Sequence, residues 1–266
     1  MLCAGLISPA AGALDRGETG VVIDVVDGDT LVLDSGLEVR LIGLQAPKLP
    51  LGRPGFPTWP LAPEAKAALA TLAGGRTVVL AYGGLRRDRY GRALAQVYRA
   101  DGLWLQGAMI EDGHARVYSF ADNTACVGAL LLLESNARDA RRGIWRLDAY
   151  RLRDAESLGA DIDTYQIVEA PVLQAADVRG RVFLNFGPDR TTDFTATVAP
   201  RDTDLFAAAG IDLLALEGRV VRLRGWLTSW NGPHMELTHP EQVELADPNA
   251  DFSEAIVSPC ADGPID

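Results

Sequence analysis

Two carboxylates, Asp27 and Asp29, sit two residues apart in the turn Asp27-Gly28-Asp29-Thr30. Arg40 occupies a polar position in the middle of an otherwise apolar strand pattern, and Arg86, Arg87, Arg89 and Arg92 crowd a second turn. Carboxylates can hold a hard cation, and guanidiniums fork onto phosphate oxygens. Side by side they describe a site for a phosphodiester. Solvated turns carrying surface ion pairs would use the same residues, so charge pattern alone leaves both readings open. The three cysteines, Cys3, Cys126 and Cys260, form no C-x-x-C, which removes the usual structural zinc site.

Positioning these residues takes strands. Val21–Val26 reads as a strand, the Asp27–Thr30 turn follows, and Leu31–Leu33 continues as a second. Asp34-Ser35-Gly36 turns again into Leu37–Leu44, where Leu37, Val39 and Leu41 alternate with Glu38 and Arg40. Residues 47–63 hold six prolines and must be a long loop. Pro63 opens a helix to about Leu72. Thr77–Tyr82 and Arg92–Tyr98 are two further strands, with the Arg-rich turn between them. Helices are expected from Leu103 to Asp112 and from Asp122 or Asn123 to Arg142, each stopped by a glycine. The fold class is mainly β with α, a small barrel plus helices.

The chain has 266 residues, 48% of them hydrophobic, enough for two modest domains each with a core. The net charge is −11. Residues 1–150 carry 16 basic and 16 acidic side chains; residues 151–266 carry 9 and 20. That balance argues against a generally basic protein that coats duplexes. No run is long enough to span a membrane. Met1–Leu14 is apolar, and Ala11-Gly12-Ala13 resembles a cleavage site, so residues 1–19 are read as a truncated export signal or N-terminal segment. A periplasmic or secreted location follows as the expectation. Cys126 and Cys260 could pair after export, but sequence does not set their distance, and isolated thiols are expected.

Four motifs carry a resemblance. They are Val26-Asp27-Gly28-Asp29-Thr30, Arg40-Leu41-Ile42-Gly43-Leu44-Gln45-Ala46-Pro47, Asp88-Arg89-Tyr90-Gly91-Arg92-Ala93-Leu94-Ala95 and Gly143-Ile144-Trp145. In this order they resemble the staphylococcal nuclease (thermonuclease) family over about residues 20–148. The resemblance implies a five-stranded OB-type barrel with three helices, cleaving DNA and RNA phosphodiesters with calcium. It implies that Asp29 holds the metal, that Arg40 and Arg92 are catalytic and grip the phosphate and its developing charge, and that Tyr118 and Phe120 line the nucleotide pocket. Arg87 and Arg89 are further candidates for substrate contact.

Three positions depart from the pattern. Where the family has Asp-Thr-Pro-Glu, this chain has Gln45-Ala46-Pro47-Lys48. Gln45 keeps a neutral oxygen for the metal but loses the charge, and Ala46 still offers a backbone carbonyl. Lys48 stands where the family's Glu handles the attacking water. An ammonium about 5 Å from a dication costs roughly 6–7 kcal/mol at an effective dielectric of ~20. Calcium binding is therefore expected to be weak or absent, with Lys48 itself gripping phosphate while Asp29 keeps it protonated.

The acidic half reads as a linker over 149–170 with a lead-in strand, then Val178–Phe186, Phe194–Val198, a short helix near Asp204–Ala209, Val220–Trp226, His234–Leu237 and Val243–Leu245. Residues 171–246 resemble OB-fold domains of the nucleic-acid-binding type, and 247–266 read as an acidic tail. Arg219, Arg222 and Arg224 could track a backbone there, with Trp226, Trp230 or Phe186 stacking bases. The surplus of acids favours a protein partner instead. His234 and His239 lack a carboxylate arrangement for metal. The expectation is a thermonuclease-like phosphodiester hydrolase acting on single-stranded or open nucleic acid, with an altered site. The alternative is a non-catalytic nucleic-acid- or protein-binding protein built on two OB barrels.

Overall fold

The computed structural model describes residues 14–246 and Cys260. These form two compact units, one ending at Arg146 and including Cys260, the other starting at Leu147. The signal reading over Met1–Leu14 and the acidic tail over 247–266 lie outside the described residues, apart from Leu14 and Cys260. No helix among the described residues is long and apolar enough to cross a membrane.

In the first unit β1 (Asp15–Asp27), β2 (Thr30–Leu33), β3 (Glu38–Leu41), β5 (Thr77–Tyr82) and β6 (Ala93–Arg99) close into a barrel in the order β1-β2-β3-β6-β5. Strand β1 starts at Asp15, inside the stretch assigned to an N-terminal segment, and it pairs twice. Its first half meets β5 and its second half meets β2, with register shifts that bend it around the barrel. Strand β3 lies parallel to β6, and the other barrel pairs are antiparallel. Val22, Val25, Leu31, Leu33, Val39, Leu41, Val78, Leu80 and Val97 fill the interior.

Three helices pack on this barrel: α1 (Ala62–Ala73), α2 (Leu105–Glu111) and α3 (Val127–Asp139). Helix α1 buries Ala62, Ala65, Leu69 and Ala73, one face at helical spacing. The expected strand Leu37–Leu44 is broken. Gly43 has φ +89°, and a Cβ there would meet Leu130 at 2.7 Å, so the chain turns out of the barrel. Beyond the break, β4 (Gly43–Gln45) pairs with β7 (Arg116–Tyr118) as a short ribbon that sequence periodicity did not reveal. Buried Glu134 of α3 accepts the Val117 N–H at 2.6 Å and so ties that helix to the ribbon.

Cys126, just before α3, forms a disulfide with Cys260, their Cα atoms 5.7 Å apart. This corrects the expectation of isolated thiols. The partners are 134 residues apart in sequence, and only the packed fold brings them together. Tyr98 Oη donates to the Cys260 carbonyl at 2.8 Å, a second tie at the same place.

The second unit contains β8 (Tyr165–Pro171), β9 (Gln174–Val178), β10 (Arg181–Asn185), β11 (Thr195–Val198), α4 (Thr203–Ala208), β12 (Val220–Ser229), β13 (Pro233–Leu237) and β14 (Val243–Leu245). Residues 149–170 therefore hold a full sheet strand, since β8 pairs with β12 from Tyr165 to Pro171. The expected strand Val178–Phe186 is interrupted by a hairpin turn at Arg179 (φ 57°) and Gly180 (φ 83°). Only Val172 and Leu173 separate β8 from β9. Taken as one bent strand they complete a circuit: β9 on β10, β10 on β11, β11 parallel to β13, β13 on β12, and β12 back on β8. This repeats the strand circuit of the first barrel, and it encloses its own core around Leu184, Phe194, Phe206, Leu223 and Leu237.

Candidate functional site

The turn between β1 and β2 packs hard against its neighbours. A Cβ at Gly28 would lie 2.6 Å from that of Ala46 and 2.8 Å from that of Ala65, so only glycine lets the turn settle under α1. The Asp29 N–H donates to the Asp27 carboxylate at 3.1 Å, and Asp29 becomes fully buried. Thr30 stands opposite Arg40 across β2 and β3, which sets the Arg40 guanidinium beside Asp29. Arg40 binds Asp29 Oδ1 directly, and also reaches the Asp29 carbonyl at 3.3 Å and the Leu44 carbonyl at 3.0 Å.

Two more groups close on the same carboxylate. The Ala46 N–H donates to Asp29 Oδ2 at 2.9 Å. Lys48 Nζ bridges both carboxylate oxygens at 2.7 and 2.6 Å and touches Asp27 Oδ2 at 3.4 Å. Burial pushes the Asp29 carboxyl upward, but Arg40 and Lys48 outweigh it and hold the group well below the ordinary carboxylate range. Burial and the neighbouring Asp29 charge raise Asp27. Lys48 is lowered, first by burial and then by Arg40, against the pull of Asp29 and Asp27. The expectation that Asp29 keeps Lys48 protonated named one upward pull and left out the two downward ones, burial and Arg40.

Gln45 is equally occupied. Its side-chain oxygen accepts from Arg116 Nε at 3.1 Å and Nη2 at 2.8 Å, both residues being buried. Arg116 was not anticipated as a site residue. The available signal was a single cation in the apolar run Ala115-Arg116-Val117-Tyr118, and pairing of β4 with β7 places it directly opposite Gln45.

Arg92 opens β6 from the other side. Its Nε and Nη2 converge on Asp88 Oδ2 at 2.8 and 2.7 Å, and its side chain is 30% exposed. Arg89 lies over the Tyr90 ring at 4.8 Å. Tyr90 itself is 69% exposed and does not pack into the barrel. Tyr118 and Phe120 meet edge to face at 4.9 Å. Arg40, Arg89, Arg92, Tyr118 and Phe120 line one cleft of about 400 Å³. Asp29, Ala46, Lys48 and Gln45 form the buried network behind Arg40. Arg87 is set apart: it pairs with Glu18 at 2.8 Å and with the Gly91 carbonyl at 3.2 Å. Phe56 and Trp59 stack on each other at 6.2 Å in the Pro-rich loop, whose Trp59 N–H donates to the Lys48 carbonyl at 2.9 Å.

Two of the three arginines read as a backbone track in the second unit, Arg222 and Arg224, are engaged inside it. Arg222 is held by Glu169 at 2.5 Å, and Arg224 is fully buried against Glu244. Phe186 is buried against Phe194 and so belongs to the core.

A family model described as "Staphylococcal nuclease homologue" matches residues 38–147. Over 129 residues the chain is 36% identical to an Escherichia coli protein named "Uncharacterized endonuclease", which covers 47% of this chain and 76% of that one. The chain belongs to the staphylococcal nuclease family. It is also 28% identical over 140 residues to the thermonuclease of Staphylococcus hyicus, covering 51% of this chain and 81% of that protein. Endonuclease YncB of Bacillus subtilis is 32% identical over 130 residues, 47% of this chain and 60% of its own length. Membership brings a nuclease-like function at the level of the family, a nucleic-acid substrate as the family's class, and calcium as a plausible cofactor. Among the described residues no group of three or more His, Cys, Asp or Glu side chains is placed to hold a metal ion.

Proposed function

We propose that the first unit binds the phosphodiester backbone of unpaired DNA or RNA in the Arg40–Arg92 cleft, and that Lys48 takes the place of a metal ion there. The observation that carries this is the Lys48 ammonium bridging both oxygens of Asp29. Calcium takes six to eight oxygen ligands. Here every Asp29 oxygen already accepts from Lys48, Arg40 or the Ala46 N–H, and the Gln45 oxygen accepts from Arg116. The donor set does not fit calcium, so no step is routed through it.

The chain's own residues supply the rest. Arg40 and Arg92 both line one cleft while their guanidiniums are engaged, Arg40 by Asp29 and the Leu44 carbonyl and Arg92 by Asp88, so a phosphate bound there would share these donors and have its developing charge stabilised by them. Tyr118 and Phe120 offer ring faces to an adjoining base. No carboxylate replaces the family's Glu at position 48, so water is not activated by a strong base and turnover is slow. The disulfide further supports an exported protein, since such bonds persist in oxidising compartments; cell fractionation tests that.

The deciding experiment measures binding and cleavage of labelled single-stranded DNA and RNA, with added calcium and with chelator. Binding is expected to ignore the chelator, and cleavage to be weak under both conditions. Gln45→Asp combined with Lys48→Glu is expected to gain calcium-dependent cleavage. Strong chelator-sensitive cleavage by the unaltered protein overturns the reading.

A further inference from the structure

The second unit carries a cavity of about 340 Å³ on the β9-β10-β11 face, roofed by the turn between β12 and β13. Three features of it point to a ligand. Trp230 is 48% exposed at the cavity rim, with Phe183 beside it at 6.3 Å. Asn185 is 4% exposed and lines the cavity; its side-chain oxygen accepts from Thr195 at 3.3 Å, while its amide nitrogen has no partner among the described residues. Arg190 lines the same cavity, exposed, with no ion pair or hydrogen bond of its guanidinium among the described residues.

The Trp230 ring is set in advance of any ligand. It meets His234 edge to face at 5.0 Å, and the Trp230 N–H closes the turn onto the Gly232 carbonyl at 2.9 Å. Gly232, at φ 94°, sits so close to the Thr192 carbonyl that a Cβ would come within 2.3 Å, so this turn rests directly on the loop that bears Arg190. A platform already in place loses little entropy on binding.

We propose that this cavity binds one nucleotide of an unpaired strand, its base stacked on Trp230, a base carbonyl on the Asn185 amide and its phosphate on Arg190. The volume lies at the low end for ligand sites and suits one ring system. The aromatic faces select a flat π-system, and the free guanidinium selects an anion. The surrounding acids make stacking, not charge, the main source of affinity. Only one phosphate is gripped, so the logarithmic salt slope is expected near −0.7. The site belongs to the second unit and does not depend on the reading of the Arg40–Arg92 cleft.

The test uses the full chain with Arg40→Ala and Arg92→Ala, which silences the first cleft. A short fluorescein-labelled oligothymidylate is titrated by polarisation, with thymidine monophosphate, thymidine and a neutral disaccharide as competitors. Binding is expected to persist and to fall about tenfold on Trp230→Ala. Trp230→Phe should recover most of it. Arg190→Ala should erase the advantage of the monophosphate over the nucleoside. Loss of all binding in the Arg40/Arg92 background, indifference to Trp230→Ala, or equal competition by the disaccharide each overturns the proposal. Unchanged thermal midpoints confirm that these surface variants fold.

Discussion

The same strand circuit is built twice in this chain and put to different chemical use. In the first unit the leading strand β1 is continuous over Asp15–Asp27; in the second it is split into β8 and β9. In both, the third strand of the circuit runs parallel to the fifth (β3 to β6, β11 to β13) and a helix fills the long connection. The cations differ more than the backbones. Arg40 and Lys48 turn inward onto one buried carboxylate, and Arg40 still borders a cleft, whereas Arg222 and Arg224 are consumed by Glu169 and Glu244. The lesson is that an OB circuit supplies positions, and the turn residues decide whether a cation serves structure or a ligand.

The largest effect should come from the buried network. Asp29→Ala leaves Arg40 without its counter-ion and Lys48 with only the 3.4 Å contact to Asp27, and about 3–5 kcal/mol of stability should vanish from the first unit only. Hydrogen exchange, which reads the units separately, checks this. Next comes the disulfide, which has no counterpart among the described residues of the second unit. Replacing Cys126 and Cys260 with serine should cost the first unit about 2–4 kcal/mol and leave denaturation of the second unchanged.

Acid should act on the two units differently. Burial pushes buried His239 down to about 4, from 6.5 in the unfolded chain. Below pH 6.5 the unfolded state takes up a proton that the native state refuses, so stability falls toward pH 4, by about 2 kcal/mol at pH 5. Asp29 behaves oppositely: held below its ordinary value, its contribution is complete above pH 3.8 and is lost only as the pH falls further. Burial lowers His114 of the first unit and His234 of the second in the same sense, so the added His239 should make the second unit lose its protected amides earlier on acidification. Smallest is a contrast within one turn. Arg92→Ala should weaken oligonucleotide binding about tenfold and make its salt slope shallower by about 0.7. Arg87→Ala, which breaks an exposed pair with Glu18 and an exposed hydrogen bond to the Gly91 carbonyl, should change stability by under about 1 kcal/mol and binding not at all.

Much of the first barrel was readable because its signals are local. Alternation in Val39-Arg40-Leu41, the Asp27–Thr30 turn and the glycine stops each act over a few residues. The order of the four motifs then placed Asp29, Arg40 and Arg92 around one site. Signals failed where a residue's fate depends on a distant partner. Gly43 looked like part of a strand, but Leu130 forces the break. Arg87 and Arg89 read alike, yet one turns to Glu18 and the other to the cleft.

The sequence alone determined that this chain carries a staphylococcal nuclease-type barrel with Gln45 and Lys48 where carboxylates are usual, since residue type and local spacing are written in it. Tertiary structure decided where those side chains go. Lys48 lands on Asp29, Arg116 caps Gln45, Cys126 meets Cys260, and β8 joins β9 to complete a second circuit. Each of these rests on contacts between residues far apart in the chain, made only when both cores pack and bring buried charges within reach of their partners.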